Sequence, residues 1–335
     1  AAASKSGYQN DRGGATSALL EYSSNLLKDG NNSLAASTAK KVHEAATAAE
    51  QVHLRTAALE IIYQADKQNG MTLLIDAMDD KEIEYRAAAL KLARPDVNDA
   101  NIALWLKKLS KTKKDTKAQI ASMLGEANAK AALPDLQKLM KNKHEGIKLA
   151  AIESAARIGE KTIIPSLYDV MRKGDSISVA APSQALLRMK GEGIPAQLVS
   201  YLPKAKPAVR VALFEVIAAR RANEHIDLLY TFLEDKDPQT RAAAFATLKH
   251  LAAEKDAAKL LSLLKQYAPA SSESTAIQDA IIAAVEDVDD PAVQQNLVLS
   301  EMDGVAADLK PAYYRILAAL GGPKALSAVS SAYDT

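Results

Sequence analysis

One place in this chain recurs every 31 residues. Counting back by 31 from Arg241 lands on Arg210, Val179, Lys148, Lys117, Arg86 and Arg55, and six of these seven are basic. The surrounding pattern travels with the anchor. Four residues beyond it stand Leu59, Leu90, Ala121, Ile152, Ser183, Phe214 and Phe245; seven beyond stand Ile62, Ala93, Leu124, Ala155, Leu186, Ile217 and Leu248. Apolar residues at such spacings mark one face of a helix. Nineteen beyond comes a second column: Leu74, Trp105, Leu136, Leu167, Leu198, Leu229 and Leu260. With Leu139/Met140, Val170/Met171 and Phe232/Leu233 it predicts the buried stripe of a second helix. A strict period of this length means that each unit buries its apolar face against its neighbours.

Turn residues separate the two stripes, among them Asn128, Gly159 and Gly191-Glu192-Gly193. Pro134, Pro165 and Pro195 follow near the start of the second helix, where a missing amide is tolerated. Asp237-Pro238 reads as N-cap and first-turn proline for a first helix. Each unit is therefore helix–turn–helix.

Residues 1–14 read as a disordered lead of small and polar residues. Residues 15–50 predict a capping pair of helices, split by Asp29-Gly30-Asn31-Asn32, and 51–335 an array of nine repeats. An insertion at 267–274 moves the anchor to Gln278, with the second column resuming at Leu297 and a last unit from Lys310. The opening AAASKSG has neither methionine nor an apolar signal core, so the expectation is a processed chain or part of a larger one. No cysteine is present, which excludes disulfides, thiolate zinc sites and cysteine nucleophiles. No apolar run approaches the roughly 18 residues that span a membrane.

The segments RAAALKLA (Arg86–Ala93), KLAAIESAARIG (Lys148–Gly159) and RAAAFATLKHLA (Arg241–Ala252), each with a polar turn and a leucine-bearing second helix, resemble HEAT repeats. They are most similar to the short HEAT-like units first known from phycobilisome lyases. The resemblance covers about Arg55 to Tyr333. It implies an all-α, right-handed superhelix, an α-solenoid of HEAT-like repeats, acting as a protein-interaction scaffold without catalysis. It also implies alternatives: an exported bacterial setting, periplasmic or cell-surface, with the array accessory to a carbohydrate-active enzyme domain in cis.

A HEAT array can hold a di-iron centre on paired His-Glu motifs, and His43-Glu44 and His144-Glu145 are the candidates. They occupy unlike places in the repeat, so no metal site is expected. Trp105 fills the leucine column and is expected in the core rather than as a base-stacking platform. Gly191-Glu192-Gly193 is a lone G-x-G in a turn, too little for a phosphate loop. No hydrolase triad and no cofactor motif is visible.

Charge carries the remaining signal. Net charge is only +1, yet residues 101–150 hold eleven lysines against Asp115, Glu126, Asp135 and Glu145, about +7. Residues 221–310 carry eight basic and sixteen acidic side chains, about −8. In such repeats the second helices line the concave side, and their exposed positions should lie 17, 21 and 24 beyond the anchor. Reading those positions gives Asp76, Asp79, Lys107, Lys138, Lys141, Asp169 and Arg172, then Ser200, Thr231, Glu234, Ser262 and Lys265. The expected partner-binding set is Lys107, Lys138, Lys141 and Arg172, with Tyr168 and Tyr230 beside the leucine column. It would steer an acidic protein partner. A solubilising lysine surface is the plainer reading of the same residues. Nucleic-acid binding through 107–148 is a third, opposed by the near-zero net charge and the absence of an exposed aromatic row. The basic anchors Arg55, Arg86, Arg210 and Arg241 are expected to tie helices to neighbouring turn carboxylates.

Overall fold

The computed structural model describes residues 14–48, 51–173, 175–286 and 288–333. These form twenty α-helices and no strand among the described residues. They divide into two compact units, Ala1–Leu167 and Tyr168–Thr335. The lead over residues 1–14 lies, but for Gly14, outside the described residues.

The first unit opens with α1 (Ala15–Lys28) and α2 (Asn32–Ala48). Helix pairs follow: α3 (Val52–Ala65) with α4 (Lys67–Asp76), α5 (Ile83–Ala93) with α6 (Ile102–Lys111), and α7 (Lys114–Glu126) with α8 (Leu133–Leu139). Then come α9 (Glu145–Ile158) and α10 (Ile164–Met171), whose last turn begins the second unit. That unit continues with α11 (Ser176–Arg188) and α12 (Ile194–Val199), α13 (Pro207–Ala219) and α14 (Ile226–Tyr230), and α15 (Pro238–Leu251) and α16 (Ala257–Leu264). It ends with α17 (Ser272–Glu286) and α18 (Pro291–Met302), then α19 (Lys310–Leu320) and α20 (Pro323–Tyr333).

The three predicted columns form the core. All seven residues at each of the three places are buried, from Leu59, Ile62 and Leu74 through Phe245, Leu248 and Leu260. First helices pack on first helices, α3–α5–α7–α9 in one unit and α11–α13–α15–α17–α19 in the other. Small residues permit the approach: a Cβ on Gly125 of α7 would lie 2.5 Å from the Ser154 backbone of α9. Leu20 and Leu26 of α1 join Ala35, Ala39 and Val42 of α2 in one cluster with Ala58 and Ile62 of α3.

Local chemistry sets the helix ends. Asp237 accepts from the Thr240 amide at 2.8 Å, with Pro238 opening α15. Gly159 ends α9 at φ 79°, a left-handed conformation that glycine adopts without strain. A short 3₁₀ turn at Lys130–Ala132, Lys161–Ile163, Asn223–His225 and Glu254–Asp256 recurs at one place in the repeat and leads into the second helix.

Two positions depart from the predicted buried stripe, the first being Leu139, half-buried beside the fully buried Met140. Leu297 is only half-buried, whereas the next residue, Val298, is fully buried. Among the described residues no 3₁₀ turn separates α17 from α18; Asp290 caps α18 directly at Pro291, so that helix starts early and its phase is displaced by one residue.

Candidate partner-binding surface

The anchors show how side chains are positioned. In the first unit Arg55, only 5% exposed, pairs with Asp80 and stacks over the Tyr85 ring, 3.9 Å from its centroid. Arg86 of the next repeat donates to the Asp80 and Lys81 carbonyls at 2.7 and 3.1 Å. The second unit repeats the arrangement. Arg210 pairs with Asp235 at 2.8 Å, and Arg241 donates to the Asp235 and Lys236 carbonyls at 2.7 and 3.2 Å. Burial raises the Asp80 carboxyl, but the Arg55 guanidinium and the Glu82 amide outweigh it and hold Asp80 below the ordinary carboxylate range. Arg55 and Arg210 therefore tie their helices to turn carboxylates as expected, whereas Arg86 and Arg241 reach the turn carbonyls instead.

The second helices present the charge. Asp76, Asp79, Lys107, Lys138, Lys141, Asp169, Arg172, Ser200, Thr231, Glu234, Ser262 and Lys265 are all exposed, so the columns separate core from surface correctly. In the first unit Lys107 on α6 and Lys138 on α8 hold equivalent places in successive repeats. Lys138 lies 3.3 Å from Asp135, and Lys108, next to Lys107, pairs with Asp79 at 2.7 Å. Carboxylates thus temper the lysine surface. In the second unit Arg172 lies 3.4 Å from Asp169. Tyr168 is half-buried and stacks on Tyr201, their centroids 4.1 Å apart and their planes within 5°. Tyr230 is half-buried, with its hydroxyl shielded from solvent and Lys259 Nζ 3.6 Å from its ring centroid. Burial pushes that hydroxyl well above the ordinary tyrosine range.

The remaining candidates fall into structural places. His43 on α2 lies 2.5 Å from the Tyr85 hydroxyl, and burial pushes its imidazole down. His144 is the N-cap of α9, on a separate element. Among the described residues no group of three or more His, Asp or Glu is placed to hold a metal ion. Trp105 is fully buried, and Gly193 caps α12. No helix among the described residues is long and apolar enough to cross a membrane.

Sequence reasoning missed two features. Tyr201 escaped because its partner stands one repeat earlier. An open depression of about 430 Å³ between the starts of α7 and α9 is lined by Lys113, Lys114, Lys117 and Lys143. These lysines count in the charge total, but only the fold gathers them.

Stacked helix pairs with a shared buried ladder define an all-α solenoid. The chain belongs to the HEAT repeats family, whose profile matches residues 102–187 and 195–278. Among solved structures, the chain is similar to an engineered protein at 16% identity, over 94% of this chain and 92% of the other, with a TM-score of 0.37. No curated protein matches the sequence.

Proposed function

We propose that the chain is a non-catalytic scaffold that binds an acidic protein partner along the face of its second helices, the side such repeats turn inward. The observation that carries this reading is the contrast between columns. Positions 19 beyond the anchor are closed in the core, while positions 21 and 24 beyond it are open and in the first unit carry Lys107, Lys138 and Lys141, with Asp76 and Asp79 at one edge. Exposed lysines contribute little to stability. Their field acts instead on the rate and salt dependence of association. Arg172 and the Tyr168–Tyr201 stack extend the same kind of surface within the second unit.

The test is capture from source cells, eluted by a salt gradient, with the native chain and with K107A/K138A/K141A as baits. The expected result is a partner released from the native chain at moderate salt and lost from the triple variant. A partner held equally by both baits overturns the reading.

A further inference from the structure

The depression at the starts of α7 and α9 has the chemistry of an anion site, and part of this comes from lacking a carboxylate that the same place carries in two other repeats. Asn142 stands where Asp80 and Asp235 stand in their own repeats. All three side chains accept from the amide two residues on, at 2.9 Å for Glu82, 2.9 Å for Asp237 and 2.8 Å for His144. The turn is the same, but its negative charge is gone. Asp80 and Asp235 each neutralise an anchor arginine; at Asn142 the corresponding anchor, Lys117, reaches only the Ser110 carbonyl at 3.3 Å.

Three more lysines gather there. Lys113, Lys114 and Lys143 line the depression with Lys117, Thr112, Asn142 and His144. No salt bridge joins any of the four lysines to a carboxylate among the described residues. The first-turn acids Asp115 and Glu145 are not part of the lining. Two helices also start at its edge without a side-chain cap, α7 at Lys113 and α9 at His144, which leaves their first-turn amides open to an anion. His144 Nδ1 is shielded from solvent and makes no hydrogen bond.

We propose that this depression binds a phosphate group. The choice over a carboxylate rests on the donors. Residues 101–150 contain no arginine, whose planar fork suits a planar carboxylate. Four ammonium groups around an open hollow act as point charges and suit a compact tetrahedral dianion. The phosphate is either free in solution or carried on a phosphorylated residue of another protein. The site lies at the starts of first helices, so it stands whether or not the second-helix face binds a partner.

Calorimetric titration of the full chain tests this, with pyrophosphate in one arm and a phosphoserine peptide in the other. The unphosphorylated and glutamate-substituted peptides serve as controls. Saturable one-to-one binding of a phosphate probe is expected. K117Q/K143Q and N142D should each weaken it about tenfold or more, the size of a lost charge-assisted contact. N142D guards against misfolding, because it restores a carboxylate that two other repeats already carry. K107Q/K138Q removes the same charge from the second-helix face and should change affinity less than about twofold. Tighter binding of the phosphopeptide assigns the phosphate to a partner, and tighter binding of pyrophosphate to a small molecule. Absence of saturable binding, equal losses in both double variants, or a glutamate peptide bound as well as its phosphoserine counterpart would overturn the proposal.

Discussion

The turn at Asp80 and the turn at Asn142 share one backbone arrangement and differ in charge. At Asp80 the carboxylate joins Arg55 to the turn, and Arg86 braces the same turn through its carbonyls. At Asn142 the amide hydrogen bond survives without an ion pair, and lysines accumulate around it. A repeat can therefore keep its geometry while exchanging a structural ion pair for open positive charge. The columns beneath the two turns are buried in both repeats, which confines the difference to the turn and its anchor.

The largest expected effect tests that confinement. Leu74→Ala and Leu136→Ala, in the first and third repeats, should each cost about 2–5 kcal/mol, because both side chains are fully buried in one column. Chemical denaturation giving less than about half a kcal/mol for either would break the column assignment. Next comes the ion pair itself. Asp80→Ala strands the nearly buried Arg55 and should cost about 2–4 kcal/mol, somewhat under the range for a fully buried pair because Asp80 retains 18% exposure. Asn142→Ala loses a single hydrogen bond and should cost about 1 kcal/mol or less. Equal costs would erase the distinction between the turns.

Acid should sharpen the same contrast by a smaller amount. Arg55 and the Glu82 amide hold Asp80 below its unfolded value despite burial, so its contribution is present above the ordinary carboxylate pKa of about 4. It is lost as pH falls through the lower folded value. The native chain should lose stability on acidification more steeply than Asp80→Asn, measured by thermal melting from pH 6 downward. Parallel curves for the two would contradict this linkage.

The repeat was legible because its columns obey helical spacing, and every residue from Leu59 to Leu260 in those columns is buried. Leu297 was misplaced because a period carries no information once an insertion resets where a helix starts. The exposed places at Lys107, Lys138 and Lys141 followed from the same arithmetic. The exposed place of Asp79 followed as well, but its pairing with Lys108 and that of Lys138 with Asp135 did not, since offsetting charges depend on which side chains reach each other. The lysine depression was hidden for a related reason: Lys113 and Lys143 stand 30 residues apart in the chain and meet only when α7 packs on α9. Its sequence signal is faint, because within the strict 31-residue register the place of Asn142 is aspartate in only two other repeats, at Asp80 and Asp235, and lysine or glutamine in the rest.

The central claim is that the second-helix face, rather than the first-helix face, meets the partner. Placing a photo-crosslinking residue at Lys107 on α6 or at Lys91 on α5, both exposed and in one repeat, tests it directly. The account predicts a crosslinked partner from position 107 and none from position 91. Crosslinking from position 91 alone would contradict it.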